Sequence, residues 1–125
     1  MATPILAVEQ KFRNGLIQAY QGKCCISGCA IVALLEAAHI TPHKNPATDV
    51  LGNGLLLRAD LHTLFDLGQL LIDPETMIVQ VHPDVRSDPH YASFHGTKVG
   101  GALGHCPSKL ALKQHFDDNP AGWEA

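Results

Sequence analysis

The most constraining feature is the stretch Asn53–Gly68, NGLLLRADLHTLFDLG, in which the apolar run Leu55–Leu57 passes without a linker into a helical period. Leu55–Leu57 has the length and bounding of a short buried strand, expected over Gly54–Arg58. Leu61, Leu64 and Phe65 then recur at three- and four-residue spacing, which predicts a helix over Ala59–Leu67, with Gly68 as its stop. Upstream, Leu34–Ile40 is a second short apolar segment, ended by Thr41-Pro42, because proline restricts the preceding residue to extended geometry. Between them lies a loop over 41–52 without usable period. The order is strand, long loop, strand, short helix, and a loop that long calls for a functional reason.

The polar residues of this unit sit at its junctions. His39 ends the first strand, Asn53 closes the loop, and His62 lies on the helix. His62 and Asp66 are four apart, so both leave one helix face and can share a cation. Asp66 also falls in the last helical turn, where the macrodipole disfavours negative charge, and a bound cation would offset that.

The remaining chain reads as support. Phe12, Leu16, Ile17 and Tyr20 give a helix over Glu9–Gln21. Leu70–Ile72 and Met77–Val81 flank Asp73-Pro74-Glu75-Thr76 as a hairpin. Residues 82–104 are expected to be mostly loop, and Ser108 caps a last helix running through Phe116. With 125 residues, 46% of them apolar, one domain over 1–125 with an ordinary core is expected, and global disorder is excluded. The longest apolar runs are far too short to cross a bilayer, and no basic start precedes a long apolar run. A cytoplasmic, reducing setting is the expectation, with the four cysteines as thiols or metal ligands. The net charge of −3, with scattered basic residues, counts against tight non-specific nucleic-acid binding but not against a nucleic-acid enzyme.

The strings LEAAHI (35–40), NGLLLRADLHTLFDLG (53–68) and IDPET (72–76) resemble the HNH endonucleases, nucleases with a ββα-metal core. FRNGLIQAY before CCISGC, and CPSKLALKQHF near the end, resemble the lead-in helix, Cys-containing turn and closing helix of a subgroup. The resemblance implies an α+β fold: a ββα-metal core at about 34–68, an added β-hairpin, and flanking N- and C-terminal helices. It makes His39 the general base, Asn53 the residue holding loop and base in place, and His62 a metal ligand, with Asp66 where some members have a second helix ligand. An imidazole titrating near neutral pH suits the first task. The expected cofactor is a divalent ion, Mg²⁺ first, with Mn²⁺, Ni²⁺ or Zn²⁺ as alternatives. The expected partner is nucleic acid, DNA ahead of RNA, with no membrane. A homodimer or an adjoining recognition domain would supply further grip.

Two departures from the family pattern stand out. Many members carry a ligand immediately before the first His, where this chain has Ala38. Glu36 faces away from His39 by strand alternation and would replace that ligand only through a twist or bulge. The second of the family's two Cys pairs is replaced by Arg58-Ala59-Asp60-Leu61, so a structural zinc is not expected, although Cys25, Cys29, His105 and Cys106 could supply four ligands. Arg58 is balanced between a phosphate contact and a salt bridge to Asp60 or Glu36; His43 and Lys44 are candidate substrate contacts. His82, His90, His95 and His115 default to the surface, and Lys11, Arg13 and Lys23 to solvated positions, although one basic helix face could meet DNA. The alternatives to a DNA nuclease are a catalytically degenerate metal- or nucleic-acid-binding module and an RNA-cleaving effector domain.

Overall fold

The computed structural model describes residues 4–41, 50–101 and 107–119. The elements are α1 (Pro4–Ala19), β1 (Leu35–His39), β2 (Gly54–Arg58), α2 (Ala59–Asp66), β3 (Leu70–Ile72), β4 (Val79–Val81), α3 (Pro89–Ala92) and α4 (Lys109–Asp118). The fold is α+β, consistent with a ββα core carrying an added hairpin and a helix at each end. Among the described residues no helix is long and apolar enough to cross a membrane.

β1 and β2 pair antiparallel in unbroken register from Leu35 opposite Arg58 to His39 opposite Gly54. Leu55, Leu56 and Leu57 are all fully buried, so β2 is covered on both faces, which is why its sequence is continuously apolar instead of alternating. α1 packs on this ribbon through Phe12 and Leu16. A Cβ at Gly54 would come within 2.7 Å of both side chains, so the glycine lets α1 approach the end of the ribbon opposite His39. α2 contributes Leu61 and Phe65, both fully buried, to the same core.

Helix ends are set by local chemistry. α1 stops in a Schellman turn, in which the Gly22 N–H donates to the Ile17 carbonyl at 2.8 Å and Gln21 N–H to Gln18 at 3.2 Å. The left-handed position is held by Gln21 (φ 57°), one residue before the glycine that marks the stop in the sequence. α2 ends the same way: Gln69 N–H donates to Leu64, Gly68 N–H to Phe65, and Gly68 has φ +72°. Ser108 accepts the Ala111 N–H at 3.2 Å as the cap of α4.

β3 and β4 form the expected hairpin, with the Asp73 carboxylate accepting the N–H groups of Glu75 and Thr76 across the turn. The segment 97–99 runs antiparallel beside β4, through Val79 N–H to Thr97 and Val99 N–H to Met77. One expectation is corrected: α1 begins at Pro4, five residues before the expected start. The stretch expected to be mostly loop is so over its described residues apart from α3, capped by Asp88 accepting the His90 N–H, with Pro89 at its first position.

Candidate nuclease site

The site is built from β1 and α2 with residues of α1 and α4 around them. His39 projects on the α1 side of the strand, where its ring stacks on Phe12 with centroids 4.7 Å apart and planes 12° apart. Glu36, of opposite parity, projects toward α2 and meets His62 Nδ1 at 2.7 Å. His62 Nε2 lies 3.1 Å from Asp66 Oδ2, one turn further along α2. His39 and His62 together line an open cavity of about 480 Å³ with Ile40, Thr41 and Asp66. The far wall of that cavity comes from α4 and its C-cap: Gln114, His115, Asp118 and Asn119.

The histidine of α2 therefore stands between two carboxylates. An imidazole with a single ring proton can donate to only one of them, which leaves a lone pair facing the other oxygen. A second proton, or a cation shared by Nε2 and Asp66, relieves that opposition. Glu36 occupies the Nδ1 side, where a carboxylate fixes tautomer and ring orientation and makes the other nitrogen a better donor. The β1–β2 register contains no bulge, and the Glu36 carboxylate is turned to His62 Nδ1.

Asn53 is buried, and it ties the end of β1 to the start of β2. Its Oδ1 accepts both the Thr41 N–H and the Thr41 hydroxyl at 2.9 Å, and its Nδ2 donates to the Thr41 carbonyl at 3.2 Å. Its own carbonyl accepts the Ile40 N–H at 2.9 Å. The two residues following His39 are thus bonded to Asn53, which spans the mouth of the intervening loop.

Arg58 is held elsewhere. Its Nε and Nη2 form a bidentate pair with Asp60, at 2.7 and 2.9 Å, Nη2 also lies 2.7 Å from His90 Nε2, and the guanidinium sits 5.7 Å from the Phe94 ring centroid. Tyr91 donates its hydroxyl to the same carboxylate at 2.7 Å. Arg58 thereby holds the Asp60 carboxyl at about 2, below the usual carboxylate range. Of the balanced alternatives for Arg58, the structure shows the salt bridge; the residue is absent from the lining of the His39–His62 cavity. His43 and Lys44 lie outside the described residues, as do His105 and Cys106.

His115 is the residue that sequence reasoning missed. It was expected at the surface, yet its ring stacks on Phe65 with centroids 3.8 Å apart, and its Nε2 donates to the Phe65 carbonyl at 2.8 Å. Burial lowers its pKa below the ordinary histidine value. With Nε2 protonated toward the carbonyl, the neutral ring keeps its acceptor on Nδ1. Only the amphipathic setting of α4 hinted at this, because the partner lies fifty positions away.

The described cysteines, Cys24, Cys25 and Cys29, are free thiols in the turn following α1. Cys24 Sγ accepts the N–H groups of Ser27 and Arg58 at 3.3 Å, joining that turn to the β2–α2 junction. Burial pushes the Cys25 thiol pKa up.

Residues 24–73, the span holding this turn, the ribbon and α2, match the model of the HNH endonuclease family. That span is similar to an HNH endonuclease domain. Nucleases of the HNH family generally use a divalent metal ion and act on nucleic acids. No curated protein matches the chain. Two walls of the candidate site come from outside the matched span, since Phe12 precedes it and His115 follows it.

Proposed function

We propose that the chain is a divalent-metal-dependent endonuclease that hydrolyses phosphodiester bonds in DNA, organised as one domain over residues 1–125 with His39, Asn53, His62 and Asp66 as its working residues. The observation that carries this reading is His62 held between Glu36 and Asp66 beside the cavity that His39 also lines. Among the described residues no group of three or more His, Cys, Asp or Glu is arranged to hold a metal ion by itself. A carboxylate oxygen facing an open cavity leaves room for an ion that retains several waters, as Mg²⁺ does, and the imidazole nitrogen also suits Mn²⁺, Ni²⁺ or Zn²⁺. His62 and Asp66 would hold it. When bound, it would supply positive charge to offset the negative charge that builds on the phosphate oxygens and the leaving oxygen.

The chain's own groups supply the remaining parts. His39 takes the proton from the attacking water, and its stacking on Phe12 restricts the ring so that the accepting nitrogen keeps its direction. Asn53 holds Ile40 and Thr41, and through them the strand end that carries His39. Glu36 orients the ring of His62. In cleavage by attack of water, the bond to the 3′-oxygen breaks and leaves a 5′-phosphate and a 3′-hydroxyl.

Plasmid nicking in Mg²⁺ or Mn²⁺ tests the reading. The purified protein should cut, and His39→Ala should lower the rate by about 10² to 10⁴-fold with an unchanged thermal melt, the usual worth of a general base. Absence of cutting with every metal would reject it. That outcome would favour a binding module that has lost catalysis, a reading motivated by Ala38, fully buried at the position where many members carry a ligand. Matched DNA and RNA duplexes digested side by side decide the sugar.

A further inference from the structure

A phosphodiester approaching this site meets Glu36, Asp66 and Asp118, all negative, and needs fixed positive charge close to His39. Arg58 does not supply it, being bidentate to Asp60. A second cavity, of about 330 Å³, opens on the α1 side of the same histidines and is lined by Phe12, Arg13, Glu36, Ala37, His39 and His62. Arg13 is the one permanently charged cation among the described residues that line either cavity.

The attachment of Arg13 leaves most of its donors unused. Nη2 reaches the carbonyl oxygens of Val32 and Leu35 at 3.4 Å each, both longer than the usual N–H···O range. These acceptors are neutral, and Nε and Nη1 donate to no described residue. Glu36, the carboxylate lining the same cavity, is turned to His62 Nδ1. Arg13 is thus half-buried and its guanidinium held by two weak tethers, with its charge unneutralised by a described carboxylate. A planar fork of this kind matches two phosphate oxygens better than a lysine ammonium does.

We propose that Arg13, presented by α1 from outside the family-matched span, binds a backbone phosphate of the nucleic acid beside the scissile one. The inference rests on the nuclease reading for the identity of the ligand, but its test does not depend on cleavage. The probe is a fluorescein-labelled 20-base-pair DNA duplex, titrated in EDTA by anisotropy at several salt concentrations with the wild type, Arg13→Gln and Arg13→Lys.

Arg13→Gln keeps a donor for the carbonyls but loses the charge. It should bind about tenfold more weakly, and the slope of log K against log salt should shrink by about one ion, the signature of one lost phosphate contact. Arg13→Lys should keep the slope and lose only part of the affinity. In single-turnover cleavage, Arg13→Gln should raise the half-saturating enzyme concentration while leaving the pH profile unchanged. Wild-type affinity and slope in Arg13→Gln, or a slope lost equally in Arg13→Lys, would overturn the inference, whether or not the protein cuts DNA. Cleavage by the wild type together with an unaffected Arg13→Gln sinks Arg13 alone. Weakened binding in Arg13→Gln together with a wild type that never cuts sinks the nuclease reading alone.

Discussion

Asn53 offers the sharpest test of how the site is held together. Its side chain makes two accepted bonds and one donated bond to Thr41, and the residue is only 7% exposed. Each such bond is worth about 1 kcal/mol net, so Asn53→Ala should cost about 3 kcal/mol, more where Thr41 groups are left unpaired away from water. Thr41→Val removes only the hydroxyl bond and should cost about 1 kcal/mol. Because the hydroxyl has already lost its partner in Asn53→Ala, the double variant should be hardly less stable than Asn53→Ala, giving a coupling of about 1 kcal/mol. Urea unfolding followed by circular dichroism would read this as a midpoint lower by about 1 to 2 M for Asn53→Ala with an unchanged slope. Nicking activity should fall further than stability, since the strand end beneath His39 is released while the fold persists. Strictly additive costs, or a loss below about 0.5 kcal/mol in Asn53→Ala, would refute the view that this amide clamps the loop mouth.

Two pH-dependent effects follow from groups beside the site. Arg58 keeps the Asp60 carboxyl at about 2, below the unfolded value, so the pair's stabilisation is complete above about pH 4 and is lost as pH falls through about 2. Asp60 is about one-third exposed, so solvent screening reduces the effect to about 1 kcal/mol, and Asp60→Asn should remove that much of the acid limb of a stability–pH curve. His115 has the opposite chemistry: burial lowers its pKa, so the unfolded chain binds the proton more readily, and stability should decline as pH drops below about 6.5. His115→Gln should flatten that decline in urea midpoints measured between pH 7 and 5; an unaltered decline would remove His115 from the account.

The parts legible in the sequence are those decided by neighbours along the chain. The β2–α2 boundary at Arg58–Ala59 and the stop at Gly68 were readable because a change of apolar period and a left-handed glycine are local facts. Strand alternation set Glu36 and His39 on opposite sides of β1, yet both line one cavity with His62. It could not say that α2 would lie against the Glu36 side and turn that carboxylate into a partner of His62. Arg58 looked equally suited to phosphate or carboxylate because its environment depends on α3, four residues long and signalled only by Asp88-Pro89, which brings His90, Tyr91 and Phe94 around the Arg58–Asp60 pair.

The same distinction explains why the walls of the site were harder to see than its floor. His39, Asn53 and His62 stand within one contiguous unit, so their order and spacing were visible before any contact was known. Phe12, Arg13 and His115 reach the cavities only because α1 and α4 pack against that unit from its two sides, and no spacing rule links position 13 to 39 or 115 to 65. On the proposed reading, the ββα unit alone would present an acidic, open groove with one base and half a metal site, and the flanking helices would complete it: α1 stacks Phe12 on His39 and brings Arg13, and α4 closes the far wall with His115. Substrate grip in this chain should therefore respond to substitutions in α1 more than to substitutions on the exposed face of α2, since only the former carries uncommitted positive charge into the site.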